Sequence, residues 1–243
     1  MVICRVALSL GAKCASFLRS GFIEKFKQNN LFVCKKAISF VSRVQQLRAG
    51  PMNFNTPNDK IMPSDIDQRI CWIDMEMTGL DPDRDTIMEI SCVVTDKDLN
   101  EVARIEQIIL HQPEYVLNAM DDWCKQNHGA SGLTEACLKS KISLKEAEDT
   151  VLVFLQRHTT PKKVPLGGNS VHADRQFIRR YMPKVYEHLH YRIIDVSSIR
   201  ELCKRWYPDV SENEPKIKKA HRAYEDIRQS IQQLQYFRKT LFK

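Results

Sequence analysis

Apolar positions along this chain change rhythm near residue 68. Before it they are scattered among basic residues, serines and prolines; after it they fall into runs that specify strands and helices. Arg69–Met77 (RICWIDMEM) opens with a continuous apolar run, as a strand entering a core does. The polar turn TGLDPDRD follows, then a β-branched strand over Thr86–Thr95 and, after DKDLN, a third over Glu101–Leu110. Short polar turns between them predict an antiparallel meander. Ala119–Asn127 reads as a helix with Asp121 and Asp122 near its positive end, followed by a GASGLT turn. Ser143 and Glu146 form a capping box opening a helix to Arg157, with Ala147, Val151, Phe154 and Leu155 on one stripe. A short buried strand is expected over Val164–Asn169, a helix over Ala173–Tyr181 and a strand over Tyr191–Val196. Ser198 and Glu201 read as a second capping box for a helix to Trp206. A charged loop over Pro208–Lys219 then leads to a long last helix, His221–Phe242. Strands first, then alternating helices and strands, predict an α/β domain around a mixed central sheet.

Acidic residues interrupt this pattern at a few places. In a strand, residues i and i+2 project to one side, about 6.6–7 Å apart, so Asp74 and Glu76 share a face. Two such carboxylates repel and are costly to desolvate unless a cation lies between them; alternatively the strand end runs into solvent with both hydrated. Asp174 follows the glycine-bearing strand in GNSVHAD, at a helix start where a carboxylate is stabilised with or without a ligand. In AHRAYEDI, five helical residues rotate about 500°, so His221 and Asp226 do not share a face if both are fully helical; His221 must sit in the lead-in loop or first turn while Asp226 rides on the helix. An Asp so fixed can hold a metal, and a His can take a proton from water near neutral pH. Without a site, Arg222 and Asp226 would form an i,i+4 surface pair, and Glu225 reads as a surface residue.

Composition adds one asymmetry. The net charge is +7, but nine of the 37 Lys and Arg residues and only one of the 30 acids lie in residues 1–50. The body is nearly neutral, which argues against a broad basic surface gripping a long polyanion. Residues 1–50 have the composition of a mitochondrial targeting segment, with a basic RNA-binding arm as the other reading. Residues 51–66, with prolines and little periodicity, read as linker, and Met52 would start a chain without the address. No apolar run approaches the roughly 18–20 residues of a membrane span. The eight cysteines contain no zinc-site spacing, which suits a reducing compartment. His188 and His190 acquire no role beyond packing.

D-x-E on a first strand, an Asp after a middle strand and H-x4-D on the last helix, in that order, resemble the DEDD exonucleases with histidine in the third motif. IDMEMTGLD, DDWCKQNHGASGLT, PLGGNSVHADRQF, HLHYRIIDVSS and AHRAYEDIRQSI are similar to the oligoribonuclease family, and to its animal mitochondrial form, over about Arg69–Phe242. Glu225 stands where the family usually has Asp. The resemblance implies a ribonuclease H-like exonuclease domain over residues 67–243. It also implies that Asp74, Glu76, Asp174 and Asp226 hold two Mg²⁺ or Mn²⁺ ions, with His221 as general base. The implied activity is 3′-to-5′ removal of 5′-mononucleotides from very short RNA, dinucleotides above all.

By the same resemblance Leu80 and Trp123 would wedge and stack on bases, and Ser170 and His172 would meet a 5′ phosphate. Tyr191 and Arg192 would come from the second subunit of a homodimer. From the residues alone, Trp123 reads as core and Tyr191 as an ordinary strand aromatic. The rivals are a general exonuclease of the same superfamily acting on longer DNA or RNA 3′ ends, and a non-catalytic RNA-binding module. Presence of all four acids and His221 argues against the latter.

Overall fold

The computed structural model describes residues 63–216 and 222–242. The expected targeting segment, Met52, most of the linker and His221 lie outside the described residues. A single turn of helix, α1 (Pro63–Asp67), occupies the end of the expected linker.

Three strands, β1 (Ile70–Met77), β2 (Ile87–Thr95) and β3 (Glu101–Ile109), form the expected meander. After them come α2 (Glu114–Asn118), α3 (Asp122–Ala130), α4 (Leu133–Lys139) and α5 (Leu144–His158). Next are β4 (Leu166–Gly168), α6 (His172–Tyr181), α7 (Pro183–His188) and β5 (Ile193–Asp195). The chain closes with α8 (Val196–Trp206), α9 (Pro208–Glu212) and α10 (Ala223–Thr240). The sheet order is β3-β2-β1-β4-β5, with β1/β4 and β4/β5 parallel. The sheet is therefore mixed.

Side-chain alternation divides the core. Cys71, Ile73 and Met75 point to one face, packing with Val151 and Leu155 of α5 and Phe177 and Ile178 of α6. Ile70 and Trp72 point to the other, packing with Val196 and Cys203 of α8 and Ile227, Leu234 and Phe237 of α10. Trp72 is fully buried, with its indole N–H donated to Thr95 Oγ1 at 3.0 Å. Gly167 faces it on β4, where a Cβ would crowd Ile70 at 3.0 Å and the indole at 3.1 Å. A third cluster, Met88 with Leu117, Met120, Cys124, Leu133 and Cys137, mounts α2–α4 on β2.

The capping box at Ser143 and Glu146 forms with both reciprocal hydrogen bonds. The one expected at Ser198 and Glu201 does not. Asp195 Oδ1 accepts from Ser197 N at 2.9 Å and starts α8 at Val196, leaving Glu201 inside the helix to pair with Lys204 and Arg205. Likewise Asp121 caps α3, accepting from Cys124 N at 2.7 Å, so this helix begins after Ala119 and runs to Ala130. The expected GASGLT turn is a helix junction: Gly132, at φ 75°, is the N-cap of α4. Pro183 and Pro208 each open a short helix, α7 and α9, in segments without an expected element, since proline suits a first helical turn.

Candidate active site

Asp74 and Glu76 continue the alternation of Ile70 and Trp72, so they project toward α10. Asp226 lies in the first turn of that helix. One oxygen from each of Asp74, Glu76 and Asp226 lies within 4.8 Å of the others. Asp226 is also secured from behind: Ser230 donates to its carbonyl at 2.9 Å and accepts from Asn169 Nδ2, just after β4, at 2.8 Å.

Asp174 approaches from the other side of the sheet. β4 pairs with β1 only at Cys71 and Trp72, and beyond that the edge of β1 is open. Asp174 enters there, its Oδ1 accepting from Met75 N at 3.0 Å, and is 7% exposed. The acids thus gather where two parallel strands end, the usual place for a ligand in such sheets.

Their electrostatics are unfavourable as they stand. Burial, followed by repulsion from Asp174, Asp226 and Glu76, pushes Asp74 well above the usual carboxylate range. Burial and then Asp226 raise Glu76 to about 8. Burial raises Asp174 to about 7, although its backbone hydrogen bonds oppose the shift. Closely spaced oxygens on mutually repelling acids fit a hard divalent cation. Asp74, Glu76 and Asp226 could hold one directly, with Asp174 beside them.

Two neighbours escape a reading from sequence alone. Glu89 stands opposite Glu76 on β2, only 1% exposed, and accepts from Arg222 Nε at 3.0 Å and Gln107 Nε2 at 3.0 Å. An acid amid the apolar run IMEIS is the signal that could have found it. Arg222 therefore turns inward and does not make the surface pair with Asp226 considered above; Glu225 does lie on the surface, beside Arg228. His128 of α3 is buried, with Nε2 2.9 Å from the Met77 carbonyl and Nδ1 3.8 Å from Glu76.

The expected substrate residues are on the surface. Leu80, Trp123 and Tyr191 are 77%, 57% and 70% exposed, so neither aromatic is core. Leu80 tops a turn held by Asp85, which accepts from Thr78 Oγ1 at 3.1 Å and Asp81 N at 2.9 Å. Ser170 adopts a left-handed φ of 52°, and its N–H is held by Asp195 Oδ1 at 3.0 Å and Ser197 Oγ at 2.9 Å. His172 lies 3.8 Å from the same Asp195. The Arg192 guanidinium sits 5.0 Å from the Tyr191 ring centre, and His190 packs on that ring at 4.4 Å. His188 is buried and bonded to Thr159 at 2.8 Å, a packing role. No helix among the described residues is long and apolar enough to cross a membrane.

Comparison with known proteins agrees with this architecture. The RNase_T exonuclease family matches residues 71–234. The chain is 51% identical over 176 residues to the mitochondrial oligoribonucleases of Bos taurus and Homo sapiens, spanning 72% of this chain and 74% of theirs. It is 48% identical to the oligoribonuclease of Marinobacter nauticus, spanning 72% of this chain and 97% of that one. Among solved structures, exonuclease I of Methylocaldum szegediense superposes with a TM-score of 0.57 at 15% identity, and an E. coli exonuclease I–ssDNA complex with 0.55 at 17%. These cover 72% of this chain and only 41% and 40% of the larger exonucleases, and at such identities the likeness concerns the fold. Sequence motifs, sheet order and relatives at about half identity converge: the chain belongs to the oligoribonuclease family of exonucleases.

Proposed function

We propose that this protein is a 3′-to-5′ exoribonuclease that degrades very short RNA, dinucleotides especially, to 5′-mononucleotides. The observation that carries the chemistry is the approach of Asp74, Glu76 and Asp226 to within 4.8 Å through single oxygens. With Asp174 they form the ligand set for two Mg²⁺ or Mn²⁺ ions. When bound, such a pair stabilises the attacking and leaving oxygens of an in-line displacement at phosphorus. Asp74, which feels Asp174, Asp226 and Glu76 alike, would hold the metal from the centre of the set. Asp226 and Glu76 fix the side nearer α10, and His221 accepts the proton of the attacking water.

The remaining residues choose the substrate. Leu80 and Trp123 hold the bases from the protein surface, and a stacked base is worth roughly 1–3 kcal/mol whatever its identity. Tyr191 of a second subunit joins them, and Ser170, supported by His172, meets the 5′ phosphate together with Arg192 of that subunit. A homodimer is therefore the working form, and its closed 5′ end explains why the body carries no broad basic surface. Residues 1–50 direct the protein to the mitochondrial matrix. The catalytic domain spans 67–243, and initiation at Met52 would yield a form for the cytosol or nucleus.

A short RNA labelled at its 5′ end tests the polarity. Stepwise shortening with release of unlabelled 5′-mononucleotides agrees with the proposal. Early release of the labelled nucleotide, or internal cuts, overturns it.

A further inference from the structure

Glu89 and Arg222 are 133 residues apart in sequence, yet Arg222 reaches from the start of α10 to β2 with Nε 3.0 Å and Nη2 3.4 Å from the Glu89 carboxylate. Glu89 is almost wholly buried and stands directly across the β1–β2 ladder from Glu76. Its second oxygen contact, from Gln107 on β3, fixes the rotamer. Arg222 is also the N-cap residue of α10, in extended backbone at φ −137° and ψ 120°. Its carbonyl accepts from Asp226 N at 3.1 Å. One residue thus ties the sheet beside Glu76 to the turn that carries Asp226, and it directly follows His221 in the chain.

We infer that Glu89 and Arg222 form a positioning pair that pins the entry of α10 to the sheet, so that Asp226 meets Asp74 and Glu76 in register. Nothing in the chemistry needs a fifth carboxylate. Glu89 is committed to Arg222 and Gln107, and its role is exercised through Arg222. A buried bidentate contact suits this task better than a surface pair. Arg presents a rigid fork, and breaking the contact would leave a buried charge. The inference rests on the four acids and His221 being the catalytic centre.

The test compares Arg222→Gln, Glu89→Gln and the double variant with the unaltered full chain, assayed on a 5′-phosphorylated diribonucleotide well below each melting temperature. Supporting residues around metal sites typically contribute roughly 10–100-fold, so each single variant is expected to lose about that much kcat with KM little changed. The double variant should lose no more than either single one, because both act through one contact. Arg222→Lys should recover part of the loss. The Mn²⁺ concentration that gives half of the metal-induced thermal shift should rise by a similar factor in both single variants and by no more in the double one, because Asp226 is the ligand the pair holds in place.

Unaltered kcat in Arg222→Gln would overturn the inference. So would additive losses, or a Mn²⁺ midpoint weakened in Glu89→Gln but unaltered in Arg222→Gln, which would make Glu89 a ligand. Absence of metal-dependent turnover in the unaltered protein would instead remove the reading on which the pair depends.

Discussion

Met75 lies between Asp74 and Glu76 on β1, and its backbone N–H donates to Asp174 Oδ1 at 3.0 Å. The strand sends two carboxylates to one face while its open edge captures a third from α6. This joint fixes three acids with one hydrogen bond and the pleat of a strand. Only Asp226 must be delivered separately, by α10.

Asp226→Ala should therefore abolish the chemistry without unfolding the domain. The expected loss in kcat is roughly 10³-fold or more, about 4 kcal/mol, which matches losing an ion that stabilises transition-state charge. Asp226 is the foremost charge raising Glu76, so the metal-free variant should melt at the same temperature or higher. Near-normal turnover with intact circular dichroism would rule out this ligand set.

Without metal, stability should fall as pH rises. Glu76 titrates near 8 and Asp174 near 7 in the folded protein, against ordinary values of about 4.3 and 3.9 when unfolded. The folded state therefore holds extra protons between those limits, and raising pH through this window favours unfolding. In chelator, the melting temperature should drop between about pH 5 and pH 8. Added Mg²⁺ should stabilise more at pH 8 than at pH 6, since binding must displace fewer protons. A flat profile in chelator would contradict the account.

The turn under Leu80 should matter to affinity more than to rate. A Cβ on Gly79 would collide with the Asp85 carboxylate that holds Thr78 and Asp81. Gly79→Ala should shift the tip and raise the dinucleotide KM by roughly 5–10-fold, within the worth of one stacking contact. The kcat should change less. The reverse pattern, kcat falling at constant KM, would place Leu80 outside substrate binding.

Arg192→Ala should distinguish the two ends of the substrate. A hydrogen bond to a charged group is worth about 1.5–3 kcal/mol, so binding of a 5′-phosphorylated dinucleotide should weaken roughly 10–100-fold. An unphosphorylated dinucleotide should be much less affected. Equal losses on both would remove the phosphate contact.

Much of this is legible in the sequence. The period of two in RICWIDMEM already put Asp74 and Glu76 on one face, and the turns already implied the meander. What escaped was set by long-range contacts. Arg222 reads locally as a partner for Asp226, and only the packing of α10 on β2 shows that it belongs to Glu89. Asp195 precedes the apparent capping box at Ser198 and captures Ser197 first, moving the start of α8. Locally Trp123 reads as core and Tyr191 as a strand aromatic; their exposure depends on where α3 and the segment before β5 meet the surface.

Hydrolysis of a 5′-phosphorylated diribonucleotide beside a 20-nucleotide RNA, each with Mg²⁺ and with chelator, tests the central claim most directly. Fast, metal-dependent cleavage of the dinucleotide in preference to the longer RNA is the predicted result. Preference for the longer RNA would leave the acids as the catalytic centre but refute the closed 5′ end. Cleavage that survives chelator, or no cleavage of either substrate by a folded protein, would contradict the account at its root.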